Sequence, residues 1–252
     1  MRIIDSWLTD AELSTIYSTA YWNDVAAEQK KEWWIEDGDY ARCRNYLNTS
    51  GLMEEYQQAE RWIQEMKRGG LRILDLAAGI GWTSALLSKL DCVNEVHAVE
   101  ISRHRLDRLF PHAVTMFSGQ EHKIHRYLGS FYDLHLPDES MDVIYLSQAF
   151  HHADRPLHLL LESDRVLQPG GRILLIGEPC VTRQQIARRF VRRLLTDRRV
   201  VTDFYELFPT DDESGDHYYK RSDYYFMFRS MGYRLKHGML NSGNIAYVAD
   251  KL

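Results

Sequence analysis

Cysteine is scarce in this chain, and the three residues that occur are odd in number and far apart (Cys43, Cys92 and Cys180). No CxxC pair is found among them, so the pattern excludes a disulfide framework and a structural zinc knuckle. This cysteine usage is typical of a reducing compartment, and we predict a cytoplasmic protein.

Long hydrophobic runs are also absent. No apolar stretch approaches the roughly 20 residues that a membrane-spanning helix requires. The opening residues, MRIIDSWLTDAEL, turn acidic too early for a secretory signal peptide. We therefore expect a soluble protein without a membrane partner.

Positive charge is not in excess. The 252 residues include 31 lysines and arginines against 36 aspartates and glutamates, a formal net charge of −5. A dedicated nucleic-acid-binding protein usually carries a broad basic field, so we do not expect a nucleic-acid partner. Hydrophobic residues make up 44% of the chain, which is enough for the core of one α/β domain with elaborations.

The first 70 residues differ in composition and hydrophobic pattern from the rest of the chain. They are rich in tryptophan and tyrosine, and Leu13, Ile16, Tyr17 and Ala20 recur at the spacing of one helix face. A further helix is predicted over 53–67, and no strand is predicted before residue 70. We interpret 1–70 as a helical region.

Short apolar runs alternate with helical patterns from residue 71 onward. This alternation predicts parallel strands joined by right-handed crossovers, with helices on both faces of the sheet. A helix over 156–167 is expected to end at Pro169–Gly171. The five predicted strands cover residues 71–77, 95–100, 124–128, 142–147 and 172–177.

An arginine-rich segment interrupts this alternation of strands and helices. Residues 183–199 contain seven arginines around an apolar stripe of Ile186, Phe190 and Leu194, which predicts an amphipathic helix. We favour a cap whose charged face meets water or the acidic loop 211–216; the alternative is a site for an acidic acceptor, a phosphate or RNA. The stripe would dock over the acceptor pocket or form a contact in a homodimer. A helix over 224–231 and an antiparallel hairpin of 233–237 with 245–249 complete the chain.

The most informative run is a glycine loop between the first predicted strand and the next helix, ILDLAAGIGWT at 73–83. Glycines there let backbone N–H groups approach a ligand closely. Glu100 follows Gly81 by 19 residues and ends the second strand, where a carboxylate can bind both ribose hydroxyls of a nucleoside. Asp75 would repel a pyrophosphate, so the loop favours a nucleoside with a positively charged tail over a dinucleotide.

DLAAGIG resembles the first motif of class I S-adenosylmethionine-dependent methyltransferases, and the resemblance covers about residues 70–180. It continues through Glu100, through SMDVIYLSQAFHHAD and through VLQPGGRILLIGEP. It implies an α/β fold with a seven-stranded, mostly parallel sheet. The order would be 3-2-1-4-5-7-6 in chain numbering, with the last strand antiparallel. It also divides the chain into an N-terminal lid (1–70), a cofactor-binding core (71–180), an arginine-rich cap (181–222) and a final helix and hairpin (223–252).

The resemblance further implies which residues contact S-adenosylmethionine and its product S-adenosylhomocysteine. Asp75 would lie near the methionine amino group and Glu100 on the ribose, with Ile101 packed on the adenine. Two residues depart from the family pattern, since Ala77 replaces a glycine and Ser130 replaces an aspartate. The remaining implied contacts are Gly79 and Gly81 in the loop, Phe131 beside Ser130, Ser147 and Gln148 after the fourth strand, and Tyr21 in the lid, which would face the sulfonium through a cation–π contact.

His151 and His152 are the candidate catalytic residues. They follow the fourth strand, at the edge where open α/β sheets bind ligands, and a histidine can remove the proton of a hydroxyl or amine acceptor. The alternative is that one of them only caps the next helix. We expect no metal, because adjacent histidines do not readily point into one site.

These features predict a methyltransferase that uses S-adenosylmethionine on a small-molecule acceptor, with O- or N-methylation favoured. Three alternatives stay open on the sequence: non-methyl chemistry on the same cofactor, such as cyclisation or aminopropyl transfer, RNA methylation guided by the arginine-rich helix, and a binding protein without turnover.

Overall fold

The computed structural model describes residues 3–16, 35, 38–210 and 215–252, and the structural statements that follow concern these residues. The N-terminal part contains one short strand and three helices. Helix α3 turns a stripe of apolar side chains toward the sheet, among them Tyr56, Ala59 and Ile63. The four elements are β1 (Ile4–Ser6), α1 (Asp10–Ile16), α2 (Tyr40–Thr49) and α3 (Leu52–Gln64).

The central part alternates strands and helices as the sequence predicts. A π-helical turn, Arg105–Leu109, leads into the second helix of this part. The elements in chain order are β2 (Leu71–Leu76), α4 (Trp82–Leu87), β3 (Val93–Glu100), α5 (Phe110–Phe117), β4 (Ile124–Leu128), β5 (Met141–Ser147), α6 (Pro156–Val166) and β6 (Leu167–Ile176).

The C-terminal part adds three helices and a hairpin. Its longest helix is the predicted arginine-rich one, which begins at Arg183. The elements are α7 (Arg183–Thr196), α8 (Phe204–Leu207), α9 (Arg221–Ser230), β7 (Tyr233–Met239) and β8 (Ile245–Lys251). Within the described residues, no helix is long and apolar enough to cross a membrane.

The strands form one sheet in the order β1-β4-β3-β2-β5-β6-β8-β7. All neighbours pair in parallel except the two pairings of β8, which runs against both β6 and β7. The predicted α/β class, the relative order of the seven predicted strands and the antiparallel last strand are confirmed. The sheet separates two apolar layers. Successive residues of a strand point to opposite faces, and Ile73 and Leu74, for example, belong to different core clusters.

The predicted strand number was wrong, because the sheet has eight strands and not seven. The additional strand is β1, which lies before residue 70 and pairs with β4 over three residues at the sheet edge. Trp7 follows it and stacks on Tyr127 with ring centroids 4.5 Å apart, and the same indole occupies the space where Gly129 has no side chain. A strand of three residues is too short to show a period in the sequence.

The predicted boundary between α6 and β6 was also wrong. Pro169–Gly171 does not close a helix but lies inside β6, which begins at Leu167. The register between β5 and β6 shifts at this point, between the pairings of Met141 and Val143. A proline is tolerated in a strand where the ladder is irregular, so the Pro-Gly-Gly signal marks a bulge here and not a helix end.

Candidate functional site

The loop between β2 and α4 has three left-handed residues in alternation. The φ angles of Ala77, Gly79 and Gly81 are +52°, +56° and +80°. A Cβ on Gly81 would lie 2.3 Å from the Phe110 ring, so this glycine is required for close packing on α5. A Cβ on Gly79 would meet nothing nearer than 4.0 Å, so the backbone there faces open space.

Asp75 lies under this loop with a fully buried carboxylate. Its Oδ2 accepts hydrogen bonds from the hydroxyls of Thr83 (2.7 Å) and Ser84 (2.5 Å) in the first turn of α4, while Oδ1 has no hydrogen-bond partner among the described residues. Burial raises the pKa of Asp75 to about 6, although the two hydroxyls oppose the shift. The residue therefore fixes the loop to α4 and keeps one acceptor atom for a ligand or water.

Glu100 ends β3 beside the loop and is 2% exposed. Its Oε2 accepts the N–H of Gly79 at 2.8 Å, and its Oε1 accepts the N–H of Ser102 at 2.9 Å. Arg105 Nη1 approaches Oε1 at 3.9 Å. Each carboxylate oxygen has about two acceptor positions, so Glu100 keeps capacity for further donors such as hydroxyls.

Ile101, Ser130 and Phe131 border the same end of β3. Ile101 follows Glu100 directly, and the N–H of Gly129 donates to the Glu100 carbonyl at 3.1 Å, which brings the segment 129–131 next to β3. Ser130 Oγ accepts the N–H of Tyr132 at 3.1 Å, so the serine is engaged in the turn that follows β4. The structure thus places these three predicted residues on the Glu100 side of the loop.

Ser147 and Gln148 follow β5, which is the strand next to β2. Ser147 Oγ is shielded from solvent and has no hydrogen-bond partner among the described residues. Gln148 has a φ of +53°, and its N–H bonds to the carbonyl of Ile176 at 2.8 Å. A left-handed backbone conformation costs energy in a residue other than glycine, and such residues are often found at functional sites. Here Ala77 and Gln148 adopt it, each just after one of two adjacent strands.

His151 is held by Glu178, a residue that we did not single out in the sequence. The Glu178 carboxylate accepts the backbone N–H groups of residues 149, 150 and 151 at 2.9–3.0 Å. Glu178 Oε2 also lies 2.9 Å from His151 Nδ1. Burial alone would lower the pKa of His151, but Glu178, by charge and hydrogen bond, and the charge of Asp216 outweigh it, so the pKa rises above its ordinary value.

His152 and His151 converge on Asp216. Asp216 Oδ1 lies 3.2 Å from His152 Nδ1 and 3.7 Å from His151 Nε2, and the imidazole centroids are 4.2 Å apart. Burial lowers the pKa of His152, and the neighbouring His151 lowers it further. Our argument that adjacent histidines do not point into one site was therefore wrong for this pair, since their ring nitrogens and Asp216 lie within 4.8 Å of one another. The absence of a metal stays a prediction.

A second buried acid, Glu55 on α3, was also missed. It is 1% exposed, its Oε2 accepts the N–H of Gly177 at 2.5 Å, and its Oε1 accepts Nδ2 of Asn244 at 2.7 Å. Burial raises the pKa of Glu55 to about 7. Glu55 thus links α3 to the carboxyl end of β6 and to the turn of the terminal hairpin. Tyr21, the predicted contact in the lid, lies outside the described residues.

Comparison with known proteins agrees with this arrangement. Residues 74–175 match the methyltransferase domain family. This match spans β2 to β6, which is the part that contributes the loop, Glu100 and the residues after β5.

Two curated relatives show the range of acceptors among similar proteins. The chain is 34% identical over 108 residues to glycine/sarcosine/dimethylglycine N-methyltransferase of Actinopolyspora halophila, covering 41% of this chain and 18% of the relative. It is 34% identical over 168 residues to malonyl-[acyl-carrier protein] O-methyltransferase of Methylococcus capsulatus, covering 66% of this chain and 59% of the relative. The chain therefore spans less than two thirds of either relative.

A solved structure, a SAM-dependent methyltransferase from Aquifex aeolicus, shares the fold. Its TM-score is 0.54 at 17% identity, and the alignment covers 77% of this chain and 89% of that one.

Proposed function

We propose that this chain, whose residues 74–175 match the methyltransferase domain family, is a class I S-adenosylmethionine-dependent methyltransferase that transfers the methyl group of S-adenosylmethionine to a small-molecule acceptor. The observation that carries the proposal is the pairing of Glu100 with the N–H of Gly79 beside an open, left-handed loop. A nucleoside needs both parts, a carboxylate for its ribose and exposed backbone for close approach.

The buried polar atoms of the site fit S-adenosylmethionine. Asp75 Oδ1 and Ser147 Oγ are shielded acceptors without partners among the described residues, at the ends of neighbouring strands. Asp75 would receive the cofactor's ammonium, directly or through water, because its carboxyl is ionised above a pH of about 6. Glu100 would hold the ribose, with Ile101, Ser130 and Phe131 along the adenine, and Ala77, Gly79, Gly81 and Gln148 would line the remainder.

The bound cofactor supplies an electrophilic methyl group on a sulfonium. The protein's part in such a transfer is to align the acceptor, exclude water and remove the proton of a hydroxyl or amine acceptor. We assign proton removal to His151 and His152. His152 is the stronger candidate, since its lowered pKa keeps it neutral and able to accept a proton near neutral pH.

Glu178 would position His151, and Asp216 would stabilise the positive charge that the pair gains. Heteroatom methylation is favoured over C-methylation because this proton-accepting group adjoins the carboxyl end of β5. The two relatives above are named for N- and O-methylation of small or carrier-bound acceptors, which agrees with this choice.

We further propose that residues 1–70 cover the cofactor and the acceptor as a lid.

Product analysis tests the proposal. The protein is incubated with S-adenosylmethionine carrying a labelled methyl group and with a fractionated metabolite extract, and the products are identified by mass spectrometry. We expect the wild-type protein to form S-adenosylhomocysteine together with a small molecule that is heavier by the labelled methyl group. The Glu100→Ala variant should form neither product. Loss of the cofactor's aminopropyl arm, or label found only in RNA, would contradict the proposal.

A further inference from the structure

Helix α7 is scarcely packed against the rest of the protein. None of its 14 residues is buried, although it begins with a complete capping box in which Thr182 and Gln185 bond each other's backbone. Ile186 contacts the small apolar cluster around Leu207, and Arg189 lies over the Phe208 ring at 4.2 Å. The helix is therefore anchored on one side and presents the other side to the surroundings.

The free side of α7 combines exposed aliphatic residues with arginines. Leu195 is 74% exposed, and Val191 and Leu194 are also exposed. Successive residues of an α-helix are rotated by about 100° around its axis, which places Val191 and Leu195 next to Arg188 and Arg192 on the helix surface. This is the arrangement of a helix that lies in a membrane interface, with apolar residues inward and arginines at the level of the lipid headgroups.

The charge of this segment is concentrated, and most of it is unpaired within the part of the chain that the structure describes. Residues 183–199 contain seven arginines and one acid, Asp197, a net charge of +6 on a chain whose total is −5. Asp197 pairs with Arg193, and Glu206 pairs with Arg199. In the acidic loop 211–216, Asp216 faces the two histidines, and residues 211–214, with which the predicted cap contact was made, lie outside the described residues. Five of the seven arginines form no ion pair with any described residue. One of them is Arg189, which lies over the Phe208 ring, and the other four are Arg183, Arg188, Arg192 and Arg198.

Two other occupants fit this surface less well. A second copy of the chain would bring two segments of charge +6 together, which opposes a dimer through α7. Single-stranded RNA is usually bound with aromatic side chains that stack on the bases, whereas the exposed apolar residues of α7 are valine and leucine. A negatively charged surface that also takes up aliphatic side chains fits both the arginines of α7 and its exposed valine and leucine residues.

We propose that α7 docks the protein on an anionic membrane surface, with Val191 and Leu195 inserted between lipids and the unpaired arginines on lipid phosphates. Our expectation of no membrane partner was based on spanning helices, and a helix that lies on the surface needs no span. Helix α7 starts five residues after Glu178, so docking would place the proposed catalytic edge next to the membrane. The proposal does not require methyl transfer.

Vesicle sedimentation tests it with the full chain. We expect binding to vesicles of phosphatidylglycerol and phosphatidylcholine, weakening with added salt, and no binding to pure phosphatidylcholine. The double variants Arg188→Gln/Arg192→Gln and Val191→Asn/Leu195→Asn should each weaken binding at least tenfold.

Matched controls change two exposed cationic residues and two exposed apolar residues elsewhere on the surface. Lys89→Gln/Arg229→Gln and Leu161→Asn/Met239→Asn should bind like the wild type, and circular dichroism and S-adenosylmethionine binding verify that all variants are folded. Absence of binding to anionic vesicles, equal loss in the control variants, or a solution dimer that Val191→Asn/Leu195→Asn converts to monomer would overturn the proposal and assign α7 to a protein partner.

Discussion

At the scale of single residues, the sequence could bring the predicted cofactor contacts to one edge of the sheet because they follow strands directly. Asp75 and Glu100 were singled out from the strand and loop pattern and Ser147 from the family resemblance, and the structure places all three at one edge of the sheet. Glu178 and Asp216 were missed because their importance depends on tertiary contacts with residues 149–152. An acid after a strand gives no signal of which backbone it will bind.

The strained loop residue Ala77 gives a stability prediction. Its φ of +52° costs about 1–2 kcal/mol in any residue other than glycine, while glycine loses about 0.5–1 kcal/mol more backbone entropy on folding. Ala77→Gly should therefore leave the free energy of unfolding unchanged or raise it by up to about 1.5 kcal/mol. The matched change Ala78→Gly, at a buried neighbour outside the left-handed region, should lower it. Urea unfolding measures both, and equal destabilisation by the two changes would refute the strain argument.

The histidine pair gives a kinetic prediction. If His152 accepts the acceptor's proton, His152→Ala should lower kcat at least a hundredfold while the Kd for S-adenosylmethionine stays unchanged. The acidic limb of kcat/KM in the wild type should lie below 6.5, because burial and His151 lower the pKa of His152. His122→Ala, at an exposed histidine outside the site, is the control. A His152→Ala enzyme with wild-type kcat would remove the residue from the chemistry.

At the scale of elements, strands with several buried residues were predicted to within a few positions, while β1 and the start of β6 were not. The reason is physical: β1 contributes only three residues at an edge, and β6 contains the Pro-Gly-Gly sequence that usually ends an element. Helix α3 was predicted over 53–67, but the sequence did not show that Glu55 enters the core. Through Glu54 and Glu55 this helix holds the turn of the terminal hairpin.

Glu55 makes this attachment dependent on pH. Its folded-state pKa of about 7 exceeds the ordinary 4.5, so its contribution to stability is complete below pH 4.5 and is lost as the pH rises through 7. The melting temperature of the wild type should therefore fall relative to that of Glu55→Gln between pH 5 and 7.5. Calorimetric scans of both proteins across this range measure the difference. Parallel pH curves would show that Glu55 does not titrate in this window.

At the scale of the whole molecule, the chain combines an acidic methyltransferase fold with one strongly basic, partly apolar helix. The fold and the order of seven strands could be predicted because several motifs occur in sequence at the spacing of one family. The acceptor could not be predicted, since the proposed lid (1–70) and the arginine-rich cap (181–222) lie outside residues 74–175, the part that matches the domain family. The lid assigned to 1–70 stays a prediction.

Isothermal titration with S-adenosylmethionine at pH 7.5 is the most direct test of the whole account. We predict saturable binding at one site, and at least a tenfold increase in Kd for Glu100→Gln, which keeps the size of the side chain but removes the charge that accepts the ribose hydroxyls. S-adenosylhomocysteine should compete for the same site. Absence of saturable binding by a folded wild-type protein would contradict the account at its base.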